Sequence, residues 1–428
     1  MTSGPVGTAP LTFGQMSVWR DIDQQSRERW HEANVAHTFA LPGPVSCNQL
    51  SQAMTRLCAK HESLRTIYEV ADPQRPRQRL LPPEDAVEIE ISYGTEHDAA
   101  ELSAALASRA FDLSQDRPIR TLGLCEGTES AGPDEPNIRR VVLCVHHIAC
   151  DGWSMGLLMM DLLVFLGFGG EEVPPAASSL FAIAEEQRSA PSWQSKLRTT
   201  RRHFRAGFEI SVADFLDRDA TTGTLQASIG SREVLSAARS LAETFKVSVA
   251  SVFTAAFADA VGSHCGPGPV RIGLMSSNRF LHRWHPLVTS MNQLIPVCVE
   301  PMPEMEVAER LAAVQLNAMR AYRLSMFDVD QVTPGALGLT LDPSRLAPIC
   351  ILNVVESAPP ELVQPEAVDH EPQLQWEPQQ RKQTSGCYLR VYVGTDTVRL
   401  RLRTGGLAAD TVAAIVLGTG RSITDGLC

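Results

Sequence analysis

From Arg139 to Val145 the chain runs almost unbroken through apolar side chains, with Val141, Val142, Leu143, Cys144 and Val145 in succession. A short run without alternation predicts a strand covered on both faces. The period then changes. Met155, Leu157, Leu158, Met159, Leu162, Leu163, Phe165 and Leu166 recur at helical spacing, with Ser154 placed to cap the helix. Between strand and helix lies His146-His147-Ile148-Ala149-Cys150-Asp151-Gly152, a polar insert where a buried strand ends.

Elsewhere the two periods alternate. Helices are expected near 13–24, 49–60 and 99–110, and strands near 35–41, 64–69, 87–92 and 119–125. Gly and Pro then crowd the stretch from Gly167 to Ser178, which breaks the helix and reads as a linker. Past it, helices are expected near 180–188, 192–208, 231–245, 249–261, 307–324 and 408–417. Strands are expected near 270–275, 294–299, 348–354, 388–393 and 398–403. The result is a mixed α/β (α+β) chain in two parts, 1–168 and 179–428, joined by a linker at 169–178. The length of 428 residues also favours two cores over one.

The net charge of −11 argues against nucleic acid or an anionic membrane as partner, since both select basic patches. Ten scattered cysteines without a CxxC pair read as buried thiols of a reducing compartment. The N-terminus has no signal-peptide pattern and no apolar stretch is long enough to span a bilayer, so a cytoplasmic location is expected.

The polar insert carries the candidate chemistry. A neutral imidazole at a strand end can take a proton from an attacking amine or alcohol, and His147 is the candidate. His146, on the opposite face of the strand, is expected to support it. Asp151 can either orient the imidazole as in a triad or brace the loop through an arginine. Gly152 can let the backbone approach a reacting carbonyl and offer an N–H. Cys144, His146, His147 and Cys150 lie close in sequence, yet adjacent strand residues face opposite ways, so no metal is expected. GxxxxGK[ST] and HExxH are missing from the sequence, and no bound cofactor is expected.

The string HHxxxDG resembles the signature of condensation domains of nonribosomal peptide synthetases. Further segments are similar to that family: Leu11 to Trp19, the stretch Lys60-His61-Glu62-Ser63-Leu64-Arg65-Thr66, Phe111-Asp112-Leu113-Ser114 with Pro118-Ile119-Arg120, and Leu180 to Ala184. The resemblance spans the chain. It implies two chloramphenicol-acetyltransferase-like subdomains in a V-shaped pseudo-dimer with a central tunnel. It also implies an acyltransferase of natural-product and antibiotic biosynthesis. An acyl or aminoacyl thioester on the phosphopantetheine of a carrier protein would be attacked by an amine or alcohol, small-molecule or carrier-bound, to give an amide or ester.

Within that resemblance His147 lies near the nucleophile, Asp151 is structural and pairs with Arg279 of the second subdomain, and Gly152 directs its N–H toward the thioester oxygen. The segment Ser290-Met291-Asn292-Gln293 departs from the family's FxNT pattern, and the preceding Phe280 to Pro286 is unusual, both on the implied acceptor side. His282 and His285 read as polar loop residues, and Trp284 and Trp376 as packing residues. Because the chain starts at Met1 and ends soon after its last helix, a free-standing enzyme is expected. The alternatives are a CoA-dependent O-acyltransferase of the same superfamily and a noncatalytic, condensation-like recruitment domain.

Overall fold

The computed structural model describes residues 7–83, 87–95, 98–125, 137–176, 178–210, 215, 223–300, 305–340, 350–356, 363, 373–377 and 386–427. It resolves into two compact units. One comprises residues 1–195 and 277–292, the other 196–276 and 293–428.

The first unit contains β1 (Thr8–Pro10), α1 (Phe13–Asp23), β2 (Asn34–Val45), α2 (Cys47–Lys60), β3 (Thr66–Glu69), β4 (Arg77–Leu80), β5 (Glu90–Tyr93), α3 (Asp98–Ala107), β6 (Ile119–Cys125), β7 (Ile138–His146), α4 (Gly152–Phe165) and α5 (Leu180–Ser189). Helix α6 (Pro191–Glu209) carries the division between units. A small sheet runs β1-β4-β3, and a four-stranded sheet runs β2-β7-β6-β5. Strand β7 sits inside the latter, antiparallel to both β2 and β6. From Val141 to His146 it is wholly buried, as its unalternating sequence predicts.

Two expectations change here. Asp151, not Ser154, is the N-cap of α4: its carboxylate accepts from the Ser154 N–H at 2.9 Å, and Ser154 lies one turn inside. A short carboxylate directly ahead of the helix reaches the N3 amide better than a hydroxyl already in the first turn. The stretch 169–178, expected as the linker, instead lies within the first unit. Val173 is buried, its N–H donates to Asp161 at 2.7 Å, and its carbonyl accepts from Lys60 Nζ at 2.5 Å. Lys60 also meets Asp161 at 2.9 Å and Glu172 at 3.0 Å, and His61 Nε2 meets Asp161 at 2.8 Å. Glu62 accepts the Leu180 N–H at the start of α5. The Lys60-His61-Glu62 segment thus pins the strap that follows α4, with the polar interruption in that apolar helix, Asp161, as its anchor.

Gly14 marks a close approach between α1 and residues 290–291. A Cβ there would lie 2.3 Å from the Ser290 carbonyl oxygen and 2.6 Å from Met291 Cα, both backbone. Gly14→Ala is expected to cost roughly 1–3 kcal/mol, read as a shifted denaturation midpoint, because neither backbone can yield as a flexible side chain would. An unchanged midpoint would refute the tight packing.

The second unit contains β8 (Thr224–Ser231), α7 (Arg232–Phe245), α8 (Val249–Gly262), β9 (Val270–Ser276), β10 (Gln293–Val299), α9 (Val307–Tyr322), β11 (Cys350–Glu356), β12 (Gln375–Trp376), β13 (Cys387–Val393), β14 (Val398–Gly405) and α10 (Ala409–Thr424). Its seven-stranded sheet runs β10-β9-β11-β13-β14-β8-β12. The pairs β9–β11 and β11–β13 are parallel and the others antiparallel. Leu389, Val391, Leu400 and Leu402 face a helical core that includes Phe253, Phe257, Val412 and Ile415. Strand β8 has no counterpart in the sequence reading. Trp376, expected to pack, is 48% exposed on the edge strand β12, whereas Trp284 is buried. Of the strand expected near 348–354, positions 348–349 lie outside the described residues.

Among the described residues no disulfide links the cysteines, and no single helix is long and apolar enough to cross a membrane.

Candidate active site

Strand β7 delivers the two histidines to different environments. His146, its last residue, is fully buried; its Nδ1 accepts the Ile148 N–H at 3.2 Å and its ring meets Phe111 edge-on at 6.2 Å. With Nδ1 an acceptor, the proton of the neutral ring sits on Nε2, which is buried and among the described residues meets no hydrogen-bond partner. Burial, and secondarily the neighbouring His147, push its pKa down to about 3. His146 is therefore a neutral packing element at physiological pH.

This has a consequence for stability. A histidine whose folded pKa lies below its unfolded value binds its proton more readily unfolded, so the fold is favoured above about pH 6.5 and loses stability as pH falls toward 3. Across that window the loss is roughly 1.4 kcal/mol per pH unit from this group alone. Denaturation at pH 7, 6 and 5 is expected to give a His146→Asn variant a slope shallower by about one proton. Equal slopes in the two proteins would remove the assignment.

His147 turns the other way and is half-buried. Its backbone N–H donates to the Ala33 carbonyl at 2.8 Å, fixing the residue to the segment that leads into β2. Its Nδ1 lies 2.9 Å from the Cys150 carbonyl oxygen. A carbonyl only accepts, so Nδ1 carries the proton and Nε2 is the basic nitrogen of the neutral ring. The tight turn 147–150 thereby sets the tautomer of its own histidine. The Cys150 thiol is buried and pushed well up in pKa by burial and then by Asp151, so it stays protonated.

Asp151 does not reach His147. Its two oxygens accept from Arg279 Nη1 at 2.7 Å and Nη2 at 2.9 Å, and from the backbone N–H groups of Ser154 at 2.9 Å and Met291 at 3.0 Å. Burial alone would raise this carboxyl. The charge of Arg279 and its hydrogen bonds, with the two backbone donors, outweigh that and hold it below the usual carboxylate range. Of the two roles the sequence allows, the contacts are those of a brace and not of a triad.

Arg279 is itself sealed in. Beyond the carboxylate it donates to Ser154 Oγ at 2.8 Å and to the carbonyls of Thr289 at 3.1 Å and Ser277 at 3.2 Å. Ser154 Oγ donates to the Thr289 carbonyl at 2.8 Å and accepts its N–H at 3.1 Å. The segment 277–292 thus folds against the start of α4 as part of the same unit, although its sequence lies in the second half of the chain.

Gly152 opens α4 at the surface. No atom lies within 4 Å of the place a Cβ would occupy, and its φ is not positive. Neither backbone strain nor a neighbour within the chain calls for glycine here. Beside it, Trp153 is 46% exposed, donates from Nε1 to the His285 carbonyl at 2.9 Å and tilts against the His285 ring at 5.7 Å. His285 Nε2 meets the Arg279 carbonyl at 3.0 Å, and His282 packs edge-on at 5.0 Å.

Sequence reasoning does not reach the supporting cast of Ser154, Trp153, His285, Thr289 and Met291. Ser154 carries one usable signal, its position three residues after an N-cap aspartate. Thr289 and Met291 act through backbone groups, which leave no trace in residue type. Among the described residues no group of three or more His, Cys, Asp or Glu is arranged to hold a metal. Cys144 and Cys150 lie against the backbone carbonyls of Leu106 and Asp151.

The site is thus a buried strand ending in paired histidines, one sealed and one with its tautomer set, followed by a braced aspartate and a surface glycine. The sequence model of the Condensation domain matches residues 6–334, and the chain belongs to that family. A probable nonribosomal peptide synthetase of Salinispora arenicola is 36% identical over 155 residues, which is 36% of this chain and 2% of that protein. The chain therefore spans only a small part of that relative's length. Among solved structures, the condensation domain of the monacolin K polyketide synthase MokA superposes with a TM-score of 0.79 at 14% identity, covering 99% of this chain and 98% of that one. The X-domain from teicoplanin biosynthesis gives 0.74 at 18%, covering 99% and 96%. The fold likeness extends past residue 334, where the sequence match ends.

Proposed function

We propose that the chain joins an acyl or aminoacyl group, presented as a thioester on the phosphopantetheine of a carrier protein, to an amine or alcohol acceptor, with His147 as the base. The observation that carries this reading is the contrast between the two histidines. His146 is buried and neutral, whereas His147 is half-buried with Nδ1–H committed to the Cys150 carbonyl.

In the step itself, the lone pair of the acceptor nitrogen or oxygen attacks the thioester carbonyl carbon while Nε2 of His147 takes its proton. The oxyanion that forms is met by the Gly152 N–H at the start of α4, where helix amides lack internal partners. The open space beside the Gly152 Cα leaves room for that approach. Collapse breaks the carbon–sulfur bond, the proton passes from His147 to the departing sulfur, and the amide or ester is released. Asp151 and Arg279 touch no reacting atom. They are positioning residues that fix the turn from Cys150 to Ser154.

The test is mass spectrometry of a carrier protein loaded with candidate acyl groups and offered pools of amines and alcohols, with the same acyl groups supplied on CoA in parallel. Product from the carrier-bound donor alone supports the reading. Efficient turnover from CoA alone replaces it with a CoA-dependent O-acyltransferase. Stable binding of a tailoring enzyme with no transfer from either donor replaces it with a recruitment domain.

A further inference from the structure

The seven-stranded sheet has a second face. Along β13 and β14, Leu389, Val391, Leu400 and Leu402 point into the helical core, so the alternating positions Tyr388, Arg390, Tyr392, Arg399, Arg401 and Arg403 lie opposite. The register places Arg401 directly across from Arg390, and Arg403 across from Tyr388. Like charges facing each other across a ladder oppose strand pairing. Four guanidinium groups on one face also run against the net charge of −11.

A carboxylate already sits in this row. Glu377, largely buried, gives one oxygen to Arg399 at 2.6 Å and the other to Arg401 at 2.7 Å, and Gln226 Nε2 donates to it at 2.8 Å. Burial would raise this carboxyl, but a hydrogen bond from Ser228 and the two arginines hold it below the usual range. The next positions repeat the cationic part of that arrangement. Arg390 is exposed, its Nε donates to the Tyr388 hydroxyl at 3.0 Å, it also hydrogen-bonds Tyr392, and among the described residues it pairs with no carboxylate. The guanidinium carbons of Arg390 and Arg403 lie 5.0 and 5.6 Å from the Tyr388 ring centre, so one phenol holds both in place.

We infer that this face is a binding site for a small molecule with a free carboxylate, seated at Arg390 and Arg403 beside Glu377. The planar fork of arginine suits a carboxylate, and Glu377 displays the two-oxygen contact that such a ligand would repeat. This binding is separate from acyl transfer: either can fail while the other persists.

The experiment is calorimetric titration of the full chain with glutarate, with inorganic phosphate as the competing oxyanion. Saturable, salt-weakened glutarate binding is expected. It should weaken about tenfold in Arg390→Met, the loss of one charge-assisted contact. The variant loses its bonds to Tyr388 and Tyr392 along with the facing like charge, so its melting temperature is measured alongside and binding is read only on folded protein. Arg403→Met serves as the second variant and should weaken binding in the same way. No saturable binding by the folded protein, unchanged affinity in both variants, or phosphate binding as tightly as glutarate would each overturn the assignment.

Discussion

His147→Ala is expected to slow acyl transfer by about 10²–10⁴-fold, the range over which a positioned general base contributes. The fold should barely register the change. The ring is half-buried, and its hydrogen bond to the Cys150 carbonyl contributes on the order of 1 kcal/mol. Activity and thermal melting are therefore predicted to separate cleanly. Rates should be compared at saturating donor, so that the change is read in the chemical step and not in capture of the loaded carrier. Turnover within a few-fold of the parent would end the case for His147 as base, whatever the variant's stability.

The opposite separation is expected at Arg279. Arg279→Ala should destabilise the protein by about 3–5 kcal/mol at neutral pH, because it leaves a buried carboxylate facing only two backbone N–H donors. The pH dependence of that loss has a definite sign. In the parent, Asp151 is depressed in pKa, so its contribution is present above about pH 3.9 and is lost as pH falls through the folded value. Without Arg279, burial raises the same carboxyl instead. The variant then gains stability relative to the parent as pH falls and Asp151 takes up a proton. Denaturant melts from pH 7 to 4 are expected to converge. A gap that stays constant or widens in acid would show that the lost stability is packing and not charge. Replacing both partners, as Asp151→Asn with Arg279→Met, should recover part of the loss, since no unpaired charge then remains while Asn still caps α4.

The sequence carried the motif's local structure because the apolar run of β7 and the helical period of α4 are both strong and meet at the polar insert. The direction of the two histidines followed from strand alternation alone. The partner of Asp151 did not. Arg279 entered through family resemblance, and nothing local ties it to a carboxylate 128 positions earlier. Strand β8 escaped because Ala227, Ser228 and Gly230 are small residues with little preference for a strand, although burial between β14 and β12 makes it one. The division between units was misplaced for a related reason. Gly and Pro around 167–178 mark where the helix ends, but Lys60, His61 and Asp161 decide that the following segment stays bound, and such contacts leave no compositional mark. The hydrogen bond from Met291 to Asp151 is invisible to any reading of side chains.

The excursion of residues 277–292 bears on how the molecule is made. During synthesis the Asp151 carboxylate leaves the ribosome well ahead of its counter-charge, and the first unit stays unfinished until two strands of the second have been translated. At about 5–20 residues per second that is an interval of many seconds in which a group destined for a dry interior must remain wet. Neither unit is a continuous length of chain, so no single cut can release one as an autonomous fragment, and the turn bearing His147 is expected to mature late, after the polypeptide has doubled back on itself.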